Sequence, residues 1–332
     1  IRINISIINM LVMKKISLVF GIIYILVINT NAQNNKVYYR FPTGATIIYD
    51  ICFTPDGKAI GIADNKSIKV YSMVTNELIR EFRDGHSGQI LSIDISNDST
   101  KLVSGAKDST VVIWDFKEGK LLKSLKCNSI ITSVRLSPDS QYLAYGGSDN
   151  MVFVYDMVND RIISTFSEHS DDITSIAYSP DGNYIATSSG DKMINIYENG
   201  ALLTKLSGHK NWVRDISFNS DGTKLISCGD DRKVITWDIS DIGNPGIIND
   251  SKHGFDWLLS VDFNQDDKTY AFADFKGNIE IISNPGGYEC NIKSPINRIL
   301  FKPNEGIFLK IAVATRGKGA LLIDVKNMKM KN

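Results

Sequence analysis

The chain has 332 residues, with 37 basic and 37 acidic side chains and a formal charge of zero. That balance argues against a nucleic-acid or acidic-membrane binder, which carries a basic excess or stripe. Hydrophobic residues at 43% with 22% charged describe a globular chain, not a disordered or fibrous one, and no Pro/Gly cluster divides it into domains.

In chain order, the first feature is Met13-Lys14-Lys15, followed by the uncharged apolar run Ile16–Ile28 and then Asn29-Thr30-Asn31-Ala32-Gln33. A basic start, a short apolar core and a small residue describe a secretion signal over residues 1–32, cleaved after Ala32. The run falls short of the about 20 residues of a spanning helix. Residues 1–12 precede Met13 and read as an over-extended gene start. The expectation is a mature chain of residues 33–332, secreted or periplasmic and without a membrane span. An uncleaved anchor is the alternative.

Lys36–Phe41 comes next and reads as a lone strand. Beyond it one pattern recurs seven times, at intervals of roughly forty residues. Its turns are Thr54-Pro55-Asp56-Gly57, Ser96-Asn97-Asp98, Ser137-Pro138-Asp139, Ser179-Pro180-Asp181-Gly182, Asn219-Ser220-Asp221-Gly222, Asn264-Gln265-Asp266 and Lys302-Pro303-Asn304. Before each turn, apolar residues alternate with others: Ile51/Phe53, Ile93/Ile95, Val134/Leu136, Ile176/Tyr178, Ile216/Phe218, Val261/Phe263 and Ile299/Phe301. Period-two alternation beside Pro, Asp and Gly marks strands. No sustained helical period follows residue 36, so the fold class is all-β.

Three units share a further spacing. The second carries His86, Ser104, Asp108 and Trp114-Asp115; the fourth His169, Thr187, Asp191 and Tyr197-Glu198; the fifth His209, Ser227, Asp231 and Trp237-Asp238. In each, the acid follows the hydroxyl residue by four positions and precedes the aromatic by six. With these residues the chain resembles the WD-repeat β-propeller family over nearly all of residues 36–329. Other units depart: the third keeps Asp149 and Tyr155-Asp156 but has Asn128 and Tyr145, and the first has Asn65 and Tyr71 without a His. The sixth keeps His253 but reads Lys276 and Ile282, and the seventh ends on Ile323-Asp324. The resemblance implies a seven-bladed β-propeller of four-stranded antiparallel blades. The lone strand would complete the last blade and so remove unpaired edges.

The same resemblance makes each His, Ser/Thr, Asp and aromatic set a buried structural network and not a hydrolase triad, whose nucleophile must face substrate. All four histidines occupy that repeat position, so none is left as a separate general base. Cys52, Cys127, Cys228 and Cys290 fall in different units without zinc-ligand spacing, and are expected to be mostly unpaired thiols. No phosphate-loop motif occurs, and no cofactor or metal is expected.

Members of the family dock partners on the face near the central channel. Aligned on the first strands, Tyr49, Leu91, Thr132, Thr174, Arg214, Leu259 and Asn297 stand four positions before the last strand residue. Six before it stand Ile47, Gln89, Ile130, Asp172, Trp212, Trp257 and Pro295; Lys107, Ser148, Gly190, Asp230, Phe275 and Arg316 precede the repeat acid. The binding-face candidates are Trp212, Arg214, Trp257, Asp230, Tyr49, Lys107, Asp172, Phe275 and Arg316, because Trp, Tyr and Arg carry most interface energy. Asp230 is expected to take a partner's basic group and Arg214 an acidic one. Tryptophans that merely seal adjacent blades are the alternative. The resulting expectation is a monomeric, non-enzymatic scaffold for a protein or peptide, without nucleic acid. Its rivals are a membrane-anchored scaffold and a propeller enzyme or carbohydrate-binding module that uses the channel.

Overall fold

The computed structural model describes residues 38–253, 256–283, 286–304 and 309–331. The secretion signal, its cleavage after Ala32, and Lys36 and Val37 of the lone strand lie outside the described residues. Seven antiparallel sheets form the blades of a propeller, six of them running outward in chain order from an inner strand and the seventh ending on the first described strand of the chain. Blade 2 shows the pattern: Ile90–Ile95, Lys101–Ala106, Thr110–Asp115 and Leu121–Lys126. The inner strands of the others are Ile51–Phe53, Ile131–Leu136, Ile173–Tyr178, Val213–Phe218, Leu258–Phe263 and Ile296–Phe301. After five of them a short side chain closes the turn on an aspartate: Thr54 on Asp56, Ser96 on Asp98, Ser137 on Asp139, Ser179 on Asp181 and Asn219 on Asp221. These Asx- and Ser/Thr-type turns are the reason the motif recurs.

The alternating apolar residues of each inner strand enter a core shared with the neighbouring blade. Seven hydrophobic clusters result, one at each blade-to-blade junction. The ring closes as the repeats require. Tyr38–Arg40 pairs antiparallel with Ala320–Asp324, with Tyr38 opposite Ile323 and Arg40 opposite Leu321, so blade 7 takes its outer strand from the start of the described chain.

Two kinds of irregularity shape the blades. On the inner strands of blades 2 to 7 a bulge falls on Leu91, Thr132, Thr174, Arg214, Leu259 and Asn297. On the outer strands of blades 1 to 5 a second bulge sits opposite the repeat aromatic, on Ile79, Leu122, Ile163, Leu203 and Ile248. Blade 6 differs, because its outer strand Gly287–Asn291 pairs with Asn278–Ile282 without a break in register. There a fifth strand, Lys329–Lys331, adds to the edge, following the 3-10 turn Val325–Asn327. The expectation of four strands per blade therefore holds for six blades and is exceeded in this one.

Candidate binding face at the channel mouth

A β-bulge re-aims a side chain, and here it re-aims six of them alike. Leu91, Thr132, Thr174, Arg214, Leu259 and Asn297, with Tyr49 of blade 1, line a single cavity at one mouth of the channel. Three of these residues also tie blades together. Thr132 donates to the Ile173 carbonyl (2.5 Å), Thr174 to that of Val213 (2.5 Å), and Asn297 Nδ2 to that of Ile48 (2.8 Å).

The two outer sets expected on this face meet through backbone bonds. The N–H groups of Lys107, Ser148, Gly190, Asp230, Phe275 and Arg316 donate to the carbonyls of Gln89, Ile130, Asp172, Trp212, Trp257 and Pro295. Three cation–aromatic clusters stand on that framework. Lys107 Nζ lies 5.2 Å from the Tyr49 ring, and the Arg214 guanidinium 4.7 Å from that of Trp212. Arg316 lies 5.2 Å from the Phe275 ring, which is itself 5.9 Å from Trp257. Asp172 belongs to none of these clusters. Burial and the neighbouring Asp171 raise its carboxyl above the ordinary range.

One expectation needs correction. Arg214 and Asp230 do not wait separately for a partner's charges; they bind each other through Nε to Oδ1 (2.7 Å) and Nη2 to Oδ2 (2.6 Å). A two-point guanidinium–carboxylate pair is the strong form of such a bond, so both charges are already committed. The two tryptophans also part company. Trp212 is half-buried against blade 4, where a Cβ at Gly190 would come within 2.7 Å of its ring. Trp257 is 48% exposed.

Beneath the mouth is a polar layer that alternation alone does not single out. The residue after each mouth position is Asp50, Ser92, Ser133, Ser175, Asp215, Ser260 or Arg298, and six of the seven, all but Ser260, line the same cavity. Five accept a backbone N–H from the next blade: Asp50 from Ile93, Ser92 from Val134, Ser133 from Ile176, Asp215 from Val261 and Ser260 from Ile299. Arg298 of blade 7 reaches Asp215 of blade 5 (2.7 and 2.6 Å) and lies 3.6 Å from Asp50 of blade 1. Arg135 of blade 3 binds Ser92 (3.1 Å) and lies 3.7 Å from Asp50. The carboxylates around it hold the Arg298 guanidinium more firmly charged than usual despite its burial. These pairs bridge the axis, and the cavity above them has a volume of about 80 Å³.

The His networks of blades 2, 4 and 5 are assembled and closed. In blade 5 Trp237 Nε1 donates to Ser227 Oγ (2.9 Å), which contacts His209 Nε2 (2.8 Å), while His209 Nδ1 meets Asp231 (3.0 Å). Ser227 is wholly buried with its oxygen already occupied, so it cannot meet a substrate. Blade 2 repeats this with Trp114, Ser104 and His86, whose Nδ1 contacts Thr110 Oγ1 (2.9 Å) and Asp108 (3.3 Å). Burial raises the Asp108 carboxyl, but Thr110, the Gly88 and Ser87 N–H groups and His86 outweigh it and bring it down to about 2. In blade 4 His169 joins Thr187 (2.8 Å) and Asp191 (2.8 Å), while Tyr197 turns its hydroxyl to Glu168 (3.1 Å). Gly precedes the His in the Trp blades because a Cβ at Gly85 would lie 2.2 Å from Trp114.

Two departing units keep the acid by moving it. In blade 1 Asp64, not Asn65, accepts from the Gly44 and Ala45 N–H groups (2.7 and 2.6 Å). In blade 6 Asp274 accepts from the Asp256, Lys276 and Asn278 N–H groups, and His253 lies 3.6 Å from the buried Glu280. All four cysteines are free.

Closed blades around an axis, with repeated polar clasps and a shallow mouth, define a seven-bladed β-propeller. The family model for the WD domain, G-beta repeat, matches residues 76–115, 119–156, 160–198 and 200–238, each segment running from the outer strand of one blade through the first three strands of the next. The chain is also 35% identical over 85 residues to the "Small ribosomal subunit protein RACK1y" of Oryza sativa subsp. japonica. That match covers 25% of each chain, so this protein spans about a quarter of the length of the curated relative it matches.

Proposed function

We propose that this protein is a non-enzymatic interaction scaffold that binds a protein or peptide on the channel-mouth face, through the sector of Trp257, Phe275 and Arg316. The observation that carries this reading is Trp257. A tryptophan left 48% exposed beside a second ring with a guanidinium on its face is the composition of an interface hot spot. The cavity volume of about 80 Å³ is far below the roughly 300–1,000 Å³ of a small-molecule site. Ion pairs bridge the floor of this mouth, which favours surface docking on this face over a sugar or substrate held within it. Zero net charge favours a protein over a nucleic acid.

We further propose that the chain acts outside the cytoplasm, a reading that rests on the composition of residues 13–32 alone. Amino-terminal sequencing of native material tests it: a start at Gln33 supports export, and an intact Met13–Ala32 segment supports the anchored alternative. For the binding face, a photo-crosslinking residue at position 257 should trap a discrete partner. Trp257→Ala should then weaken that partner's binding by at least ~30-fold, equivalent to ~2 kcal/mol. An equal affinity for the variant refutes this sector as the docking site.

A further inference from the structure

Beyond the channel mouth, we infer that the outer edge of blade 6 is a strand-addition site for an extended segment with basic residues at alternate positions, held in this structure by the chain's own Lys329–Lys331. The first support is backbone regularity. Blades 1 to 5 each break their outer strand with a bulge, the device by which exposed edges are twisted away from further pairing. Gly287–Asn291 has no bulge, and it is where a fifth strand has added.

The second support is the chemistry of the added strand. Lys329 lies opposite Glu289 and binds it (3.0 Å), while Lys331 reaches past the edge to Glu280 on the next strand in. Met330 between them points to solvent, 63% exposed. The edge therefore reads a Lys-x-Lys pattern through two carboxylates, with backbone bonds supplying affinity and alternate side chains supplying selectivity. Three pairs are a short hold, and all three residues of the added strand are exposed. The edge also continues past it: Cys290 and Asn291 lie beyond the last pair and, with Asn278, Ile279, Asn327 and Met328, line a groove of about 520 Å³. A longer basic strand from a partner has room to pair where the internal one stops.

The test uses the full-length chain and a fluorescent peptide with the sequence of residues 325–331. In the Lys329→Glu/Lys331→Glu variant the internal strand should leave, and amide exchange at Gly287–Glu289 should accelerate. The peptide should then bind at least ten-fold more tightly than it binds the unaltered protein, and restore protection at those amides. Lys329→Ala/Lys331→Ala repeats the test with less disturbance should the reversed charges impair folding. Adding Glu289→Lys to the released variant should abolish peptide binding. Failure of the peptide to bind either released variant overturns the inference, as does equal binding to released and unaltered protein. Neither result bears on Trp257, which lies at the other end of the blade's hydrogen-bonding order.

Discussion

Replacing Arg298 with methionine tests whether the axial ion pairs hold the ring together. Methionine keeps much of the apolar stem but removes the two bonds from Nη1 to Asp215 and the charge facing Asp50. Both carboxylates are buried, Asp50 at 4% and Asp215 at 2% exposure. Removing one partner of a buried pair leaves an uncompensated charge and costs about 3–5 kcal/mol. In a domain this large, 1 kcal/mol moves the melting temperature by about 2–4 °C, so the midpoint should fall by roughly 6–20 °C. Differential scanning calorimetry at low protein concentration reads this directly. Adding Asp215→Asn to Arg298→Met removes one stranded charge, so the double variant should melt above the single one. A fall of less than about 2 °C, or strictly additive effects of the two changes, refutes the idea that the pair spans the axis as a structural tie.

Ser227→Ala should destabilise by about 2–4 kcal/mol in urea unfolding, because it strands both the Trp237 indole N–H and His209 Nε2 in a buried site. Thr187→Ala should cost less, since Tyr197 already has Glu168 as its partner; equal losses would contradict the assigned networks. Asp262, whose carboxyl burial pushes up to about 6 despite bonds from Phe301 N–H and Ser217, should make stability pH-dependent. Between its unfolded value near 4 and about 6, the folded chain holds a proton that the unfolded chain releases, so this group's contribution declines as pH rises. Asp262→Asn should therefore gain stability relative to the parent from pH 4 to pH 7, by at most about 3 kcal/mol. A constant difference across that range would reject the assignment.

Much of this architecture is legible in the sequence because the turn chemistry and the inner-strand alternation are repeated seven times. Counting back four positions from Phe53, Ile95 and their equivalents is enough to locate the seven residues that line the channel mouth. What stays hidden has particular causes. Asp50, Ser92, Asp215 and Arg298 occupy the polar half of the alternation, which looks the same whether it faces water or a stitched axial layer. Asp64 and Asp274 escape the repeat spacing because their hairpins place the acid one and two residues before the aligned position. Arg214 and Asp230 each stand out by residue type, but a pairing between two candidates cannot be read from spacing alone. Lys329–Lys331 is too short for any periodicity to register.

The clasp in blade 7 has a consequence for the order in which the molecule can be made. Tyr38 and Lys318, which meet across that blade, are 280 residues apart in the chain. At translation rates of about 5–20 residues per second, the first strand waits tens of seconds for its partners to emerge. Blades 1 to 6 draw their four inner-to-outer strands from contiguous sequence and can assemble as they leave the ribosome; blade 7 cannot. During that interval Tyr38–Arg40 is an unsatisfied strand, and the growing array is an open arc with a bare face at each end. Ring closure is thus a late, single event, and the cell must keep that strand from pairing elsewhere until it happens.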